Sequence, residues 1–394
     1  MMHSEQSLFF IEQHLHDAPT QLLLKYGTEK AEWIAQIEAR QKAKDKLPSW
    51  YRQPLVWFPP NVSVEQSSSE WTAQYKAQII ARSHTPTLID ATGGMGVDSS
   101  FFAKVCQKVV YIEQNEALAN ISRYNFEVLG LKNIECIIQD SIAFLQNATQ
   151  PADWLYLDPA RRTTEQRRVF HLSDCQPDVV QLWPFLRQKA CRILLKVSPL
   201  LDISQVLQLL PDVAAVHVVA FENECKELLF EWEQLESKSV ETLTVYTINL
   251  KKNGSTEIFN FEWEREASAE VQYSQPLSYI YEPNAAILKA GAFKSLGQSM
   301  GLYKIAPHSH LYTSHEWRND FPGRTFKIIS IQKADNKDIK DYLKDGKANL
   351  TLRNFPGTTE QLRKKLKLKD GGDVYLLATT LHNGDKRILI CEKA

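Results

Sequence analysis

The spacing of apolar residues divides the chain near residue 86. Before this point, apolar side chains such as Phe10, Ile11 and Leu15 recur at the short intervals typical of amphipathic helices. After it, short apolar runs alternate with mixed segments, as in the strand–helix–strand units of a parallel sheet. The pattern predicts a helical N-terminal domain over residues 1–80 and an α/β domain over residues 81–265.

The α/β part contains a series of apolar runs that predict strands. The first five are followed by the polar or glycine-containing segments at which buried parallel strands end. They cover residues 87–90, 109–113, 134–141, 154–162 and 192–199. Three later runs, at 213–221, 228–232 and 243–250, predict further strands. The mixed-charge segment 221–228 is either a hairpin tip or a lip over a substrate pocket.

A glycine cluster follows the first predicted strand, in the order Asp90-Ala91-Thr92-Gly93-Gly94-Met95-Gly96. Glycine removes the Cβ that would keep a ligand away from the main chain. The helix predicted to start at Asp98 would present unpaired N–H groups to the same place. A short glycine turn alone is weak evidence, but its position after an apolar strand indicates a cofactor loop.

Acidic residues end the next three strands: Glu113, Asp140 and Asp158. The interval from Gly94 to Glu113 is close to the ~20 residues at which a carboxylate meets a ribose diol in nucleotide-binding folds. Each acid taken singly is explained by a helix cap or a turn. Because parallel strands end at one edge of a sheet, the acids and the glycine turn together indicate a cofactor site.

Beyond residue 265 the strand–helix rhythm stops. Residues 266–320 form a connecting segment, in which 279–283 predicts a turn and 284–293 a helix. Residues 321–394 show the order β-α-β-α-β-β, which predicts a small α+β domain. Its second helix, 359–366, ends with Arg363, Lys364 and Lys365; these bind phosphate groups or form a solvated helix end.

A second basic stretch, residues 42–52, interleaves lysines with Trp50 and Tyr51. It is either a solvated helix end before Pro48 or a patch that faces RNA, since phosphates attract basic groups and bases stack on aromatic rings.

Composition narrows the class of protein. A chain of 394 residues is too long for one ordinary core, and its net charge of −1 excludes a global basic field for nucleic acid. The six cysteines form no C-x-x-C pair, which favours buried, reduced thiols over disulfides or a metal site. Without a signal sequence or a run of ~20 apolar residues, we expect a cytoplasmic protein that binds no membrane and no metal.

The order Asp90-x-x-x-Gly94-x-Gly96, Glu113, Asp140 and Asp158-Pro159 resembles the class I S-adenosylmethionine-dependent methyltransferases over residues 86–250. A nicotinamide-binding G-x-G-x-x-G motif fits less well, because Ser99 stands at its third glycine. The resemblance implies a Rossmann-like sheet and S-adenosylmethionine as cofactor. It implies cofactor contacts from Asp90, Ala91, Thr92, Gly93, Gly94, Gly96, Glu113, Asp140 and Ser141, with Asp158 and Pro159 as catalytic residues.

The segment Asp158-Pro159-Ala160-Arg161 departs from the D/N-P-P-aromatic motif of many enzymes that methylate exocyclic base nitrogens. A uridine-C5 mechanism is disfavoured because residues 196–199 offer no cysteine nucleophile. The reaction that remains is methylation of a nitrogen, in which Asp158 accepts or orients a proton. Arg161 and Arg162 either bind substrate or form surface ion pairs with Asp153 or Glu165.

The arrangement of a helical front, a methyltransferase domain and a small α+β tail resembles bacterial RNA methyltransferases with THUMP-like appendages. This resemblance implies methylation of a base nitrogen in tRNA or rRNA. The alternatives are an RNA-binding protein that has lost catalysis, and a methyltransferase for small molecules or proteins. The oligomeric state is left open.

Overall fold

A computed structural model of the chain describes residues 4–59, 64–161, 171–234, 242–333 and 337–394. They fall into two compact units, residues 1–214 with 226–240 and residues 215–225 with 241–394. The helices are α1 (Glu5–Gln13), α2 (Pro19–Tyr26), α3 (Ala31–Lys46), α4 (Pro48–Tyr51), α5 (Glu70–Ile80), α6 (Val97–Phe102), α7 (Glu116–Val128), α8 (Ser141–Asn147), α9 (Val179–Leu186), α10 (Ile203–Leu209), α11 (Trp263–Ser268), α12 (Ala285–Ala290), α13 (Phe293–Met300) and α14 (Thr359–Leu366).

The strands are β1 (Thr87–Asp90), β2 (Lys108–Glu113), β3 (Ile134–Ile138), β4 (Ala152–Leu157), β5 (Ala160–Arg161), β6 (Cys175–Gln176), β7 (Ala190–Val197), β8 (Ala215–Phe221), β9 (Glu224–Glu233), β10 (Thr244–Leu250), β11 (Thr256–Glu262), β12 (Tyr279–Pro283), β13 (Tyr303–Lys304), β14 (Tyr312–Ser314), β15 (Gly323–Lys333), β16 (Asn349–Arg353), β17 (Val374–Thr380) and β18 (Lys386–Lys393).

The first unit is built on parallel strands in the order β7-β4-β1-β2-β3, with β9 antiparallel to β7. β1 lies at the centre, where Ile89 is opposite Val110 of β2 and Leu155 of β4. Leu88 and Leu155 are fully buried, as expected for parallel strands covered on both faces. The predicted Rossmann-like sheet is confirmed, and its strand order brings the carboxyl ends of β1, β2, β3, β4 and β7 to one edge.

The helices expected before residue 80 are confirmed, and they belong to the same compact unit as this sheet. Asn125 of α7 exchanges two hydrogen bonds of 2.8 Å with the main chain of Trp57. The side chain of Gln36 on α3 bonds the main chain of Phe58 in the same reciprocal way, at 2.7 and 2.9 Å. These side chains satisfy buried main-chain groups that no regular element serves. The domain limits at residues 80 and 265 stay predictions.

In the second unit, β10 runs parallel to β8 and antiparallel to β11. A seven-stranded sheet has the order β13-β14-β12-β15-β18-β17-β16. The helix α14 and the β17–β18 hairpin confirm the predicted elements. The first helix of the β-α-β-α-β-β order was expected over residues 335–343, but its described residues 337–342 form a 3₁₀ segment. The turn predicted at 279–283 was wrong. These residues form β12, which pairs with both β14 and β15 and buries Ile280 and Tyr281 completely.

All six cysteines lie in the described residues and form no disulfide. The expectation that they are buried holds for Cys106 and Cys391 only; Cys191 is exposed on β7, and the other three are half-buried. Among the described residues, no helix has the length and apolar character needed to cross a membrane. In that same part of the chain, no three His, Cys, Asp or Glu side chains lie close enough together to hold a metal ion.

Candidate active site

The turn after β1 is held by side chains from two strand ends. Asp90 is 1% exposed, and its carboxylate accepts hydrogen bonds from the Thr92 N–H (3.1 Å) and the Ser99 hydroxyl (2.6 Å). The Gly94 N–H donates to Glu113 Oε2 at 3.0 Å. Burial raises the pKa of Asp90 to about 7, despite the bonds from Ser99 and Thr92. The turn therefore has one well-defined shape.

Gly96 shows why this turn needs glycine. Its φ of +79° lies in the left-handed region, and a Cβ there would stand 2.5 Å from the ring of Phe126. An L-residue would meet both backbone strain and a side-chain collision. Gly96 directly precedes α6, so the first N–H groups of that helix face the space beside the turn.

Glu113 and Asp140 each have a local structural role. Glu113 accepts hydrogen bonds from Gly94 and, through Oε1, from the Asn115 N–H at 2.8 Å. Asp140 is exposed and caps α8 by accepting from the Ala143 N–H at 2.8 Å. The cap interpretation of Asp140 is thus confirmed. Both carboxylates also line the cavity described next, so the cap and turn roles leave them available to a ligand there.

One cavity of about 1290 Å³ opens at the carboxyl edge of the parallel strands. It is lined by residues 66–68, 90–98, 112–114, 139–142, 156, 158–160, 176–178, 181–182, 196–198 and 226. The predicted cofactor residues from Asp90 to Gly96, together with Glu113, Asp140 and Ser141, all lie on its wall, as do Asp158 and Pro159. The volume exceeds the ~300–1,000 Å³ common for a single small ligand, which leaves room for a second molecule.

Asp158 is fixed to the glycine turn and to β7. Its N–H donates to the Thr92 hydroxyl at 2.7 Å, and its Oδ2 accepts from Lys196 Nζ at 2.5 Å. Burial opposes the charge of Lys196, but the carboxylates of Asp158, Glu227 and Asp98 outweigh it and raise the pKa of this ammonium group. Lys196 is a cavity residue that the sequence analysis missed. The sequence feature that points to this residue is a lysine inside the apolar run of residues 193–197 in β7.

A buried charged network lies behind the cavity. Lys76 of α5 is fully buried and contacts both oxygens of Glu227, at 2.9 and 3.1 Å, and Asp98 Oδ1 at 3.1 Å. Asp98 also accepts hydrogen bonds of 2.8 Å from the hydroxyls of Ser68 and Tyr156. Burial opposes ionisation of Asp98, yet Lys76, Lys196 and these hydroxyls lower its pKa. The network holds residues 66–68 against the start of α6, and the sequence analysis did not foresee it.

The predicted substrate-binding residues belong to two separate parts of the chain. Arg161 ends β5, which pairs with β6, and Arg162 lies outside the described residues. Asp153, offered as an ion-pair partner, accepts hydrogen bonds from the N–H and the hydroxyl of Thr87. Arg363, Lys364 and Lys365 form the last turn of α14 in the second unit, where Arg363 pairs with Asp370 at 2.8 Å.

The parallel strand order, the glycine turn and the acidic strand ends define a class I S-adenosylmethionine-dependent methyltransferase. Family models for a ferredoxin-like domain and a THUMP-like domain match residues 279–322 and 323–393. A solved structure of a "putative methyltransferase" from Porphyromonas gingivalis W83 covers 100% of both chains with 33% identity and a TM-score of 0.88. The chain belongs to the same methyltransferase family as this protein.

Two curated relatives add to the comparison. A protein of Mycobacterium tuberculosis H37Rv, named as an uncharacterized S-adenosylmethionine-dependent methyltransferase, is 21% identical over 363 residues, covering 90% of this chain and 94% of its own. Ribosomal RNA small subunit methyltransferase J of Buchnera aphidicola is 30% identical over 94 residues, which are 22% of this chain and 38% of that protein. The similarity to proteins named as methyltransferases extends over most or all of the chain, whereas the similarity to a ribosomal RNA methyltransferase is confined to a short segment.

Proposed function

We propose that this methyltransferase transfers the methyl group of S-adenosylmethionine to a base nitrogen of rRNA or tRNA in the cytoplasm. The observation that carries the proposal is the position of Asp158 and Pro159. They lie on the wall of the cavity, at the end of β4, beside the turn formed by residues 91–96.

The cavity fits the cofactor on chemical grounds. The left-handed Gly96 keeps the turn free of a side chain next to the first N–H groups of α6, where the methionine part would be held. Glu113 would accept from the ribose hydroxyls, and Asp140 with Ser141 would hold the adenine. Ala91, Thr92, Gly93 and Gly94 complete the cradle around Asp90. When bound, S-adenosylmethionine supplies an activated methyl group on a sulfonium ion.

The chain's own residues then align the acceptor and remove its proton. Asp158 offers a carboxylate, and the main-chain oxygen of Pro159 offers a second acceptor for an amine. Lys196 and Thr92 hold Asp158 in place, so that it can take the proton released by the methylated nitrogen. Methyl transfer itself depends mainly on alignment of the reactants and on exclusion of water. No cysteine is among the described residues that line the cavity, which supports nitrogen over C5 chemistry.

An RNA substrate is supported by two findings. The C-terminal residues 323–393 match a THUMP-like family model, and part of the chain is similar to a ribosomal RNA methyltransferase. The cavity also exceeds the needs of the cofactor alone, so an extruded nucleotide could enter beside it. Arg161, Arg162, Arg363, Lys364 and Lys365 stay candidates for contacts with the RNA backbone.

The test is methyl transfer from radiolabelled S-adenosylmethionine to RNA isolated from a strain that lacks this protein. Protein and small-metabolite fractions of that strain serve as parallel acceptors. We expect label in RNA only, lost in Asp158→Ala and retained in Glu135→Gln, which removes an exposed carboxylate paired with Lys108. Mass spectrometry of the nucleosides then identifies the methylated atom.

Label confined to protein or to small molecules would refute the RNA assignment. Label on a carbon atom of a base would refute nitrogen chemistry. Full activity of Asp158→Ala would remove the role given to that residue.

A further inference from the structure

The N-terminal segment forms part of the cavity wall. Residues 66–68 line the cavity, and the Ser68 hydroxyl donates to Asp98, which lies on the same wall. Lys46, the last residue of α3, reaches this loop, since its Nζ donates to the main-chain oxygen of Glu65 at 2.5 Å. Lys46 therefore contacts the residue that directly precedes the cavity-lining residues 66–68.

The lysines near the cavity differ in how their charges are balanced. Lys76 contacts the carboxylates of Glu227 and Asp98, and Lys196 contacts that of Asp158. Lys46 instead contacts a main-chain oxygen, which satisfies a hydrogen bond but carries no full charge. An anion that reaches a half-buried ammonium group is attracted more strongly than it would be in bulk water, because the effective dielectric constant is lower there.

Two further lysines act on Lys46. Burial, with repulsion from Lys196 and Lys226, lowers the pKa of Lys46 to about 8, against the attraction of the Glu65 and Glu227 carboxylates. Both of these lysines line the cavity, and Lys226 is exposed on β9. A phosphate group between Lys46 and Lys226 would relieve this repulsion. A neutral or cationic substrate would not.

We propose that Lys46 and Lys226 bind a phosphate group of the RNA substrate at the edge of the cavity, next to the nucleotide that enters it. The proposal rests on the function proposed above, because it specifies how the same cavity recognises RNA. It assigns substrate binding to the N-terminal segment of the chain, in addition to the C-terminal basic residues. Of the two interpretations of the 42–52 stretch, it selects the RNA-facing one for Lys46.

The experiment measures the affinity of the full chain for a single-stranded RNA of roughly 12 nucleotides, a length within the range of common binding sites. Salt is varied, and a strand of the same sequence with an uncharged methylphosphonate backbone is measured alongside. Lys46→Met should weaken binding of the charged strand about fivefold or more and reduce the salt slope by about 0.7, the value for one lost phosphate contact on single strands. Lys226→Met should act in the same direction.

Three controls separate charge from structure. Lys44→Met removes an exposed lysine of the same helix and should leave RNA affinity unchanged. Lys46→Arg keeps the positive charge and should retain most of the affinity. Calorimetric titration with S-adenosylmethionine should give the same affinity for Lys46→Met and for the wild-type chain.

An unchanged salt slope in Lys46→Met overturns the phosphate site while leaving the proposed function intact. Equal weakening of the charged and uncharged strands also overturns it, because the effect is then structural. If the wild-type chain neither binds nor methylates RNA, the proposed function fails and the phosphate site fails with it.

Discussion

Lys196 Nζ donates a hydrogen bond to Asp158 Oδ2 across the ends of two neighbouring parallel strands, β7 and β4. Lys196 is nearly buried, whereas Asp158 keeps about a third of its side-chain surface exposed. An ammonium group thus stands behind the carboxylate that faces the cavity. The carboxylate of Asp158 is thus a fixed negative group close to where a sulfonium ion and an amine would meet. The net charge of the ion pair as a whole is close to zero.

Lys196→Met tests this pairing. We expect methyl transfer to fall about tenfold or more, because Asp158 loses the partner that orients it, a change of at least 1.4 kcal/mol in transition-state stabilisation. Affinity for S-adenosylmethionine should be unchanged or higher, since a cation near the sulfonium site is removed. Lys196→Arg should retain part of the activity. Equal loss of cofactor binding and turnover would contradict the assignment and indicate a disturbed fold.

Gly96→Ala tests the shape of the cofactor turn, with Gly130→Ala as its matched control. Both glycines have positive φ, +79° and +73°, but a Cβ at Gly130 meets no atom within 4 Å, whereas one at Gly96 collides with Phe126. Gly130→Ala should cost about 1–2 kcal/mol of unfolding free energy from backbone strain alone. Gly96→Ala should cost about 1–3 kcal/mol more from overpacking.

Chemical denaturation gives these free energies, and calorimetry gives the affinity for S-adenosylmethionine. That affinity should be lost in Gly96→Ala and kept in Gly130→Ala. Equal behaviour of the two variants would mean that the contact between Gly96 and Phe126 does not shape the site.

Lys76→Met tests the buried network. Two buried carboxylates, Asp98 and Glu227, would lose their shared cation, and breaking a buried pair in this way costs about 3–5 kcal/mol. Adding Glu227→Gln to Lys76→Met should recover part of the loss, because one unpaired charge is removed. The exposed pair of Lys108 and Glu135 offers the comparison, and Lys108→Met should change stability by less than about 1 kcal/mol. Urea unfolding of the three variants and the wild type checks this; a small effect at Lys76 contradicts it.

Asp90 predicts a pH dependence of stability. Burial raises its pKa from 3.8 to about 7, so between these values the folded chain holds a proton that the unfolded chain has lost. The free energy of unfolding should therefore fall as pH rises through this window, by about 1.4 kcal/mol for each pKa unit at most. Asp90→Asn should flatten this dependence in urea unfolding at several pH values. Ser99→Ala, which removes a hydrogen bond that favours the charged carboxylate, should raise the pKa of Asp90 further and extend the dependence to higher pH; an unchanged slope in Asp90→Asn would refute the account.

His310 predicts the opposite dependence in the second unit. Its ring stacks on Phe293, and burial, with repulsion from Lys304, His308 and Arg353, lowers its pKa to about 4. The unfolded chain then binds the proton first, so stability falls as pH decreases from about 6.5 to about 4. Nuclear magnetic resonance titration of the imidazole should show a midpoint near the lower value. Asparagine tolerates the left-handed backbone at this position, so His310→Asn should remove the dependence. A midpoint near 6.5 would contradict the prediction.

The local pattern of the chain was enough to predict the parallel core and most elements of the tail. β1 spans Thr87–Asp90 and α14 spans Thr359–Leu366, as predicted, because each has a clear apolar period and a residue that ends it. The cavity could be foreseen for a related reason: in a parallel sheet, the strand ends that carry Glu113 and Asp158 must come to one edge.

What the sequence by itself determined is therefore the order of elements, the glycine turn and the acids at the strand ends, since these depend on neighbours in the chain. Only the tertiary structure decided which charges meet. Lys76 and Glu227 are 151 residues apart in the chain, and Lys196 and Asp158 are 38 apart. No local pattern encodes such pairs, because their energy depends on burial and on distances that exist only after the strands and helices have packed.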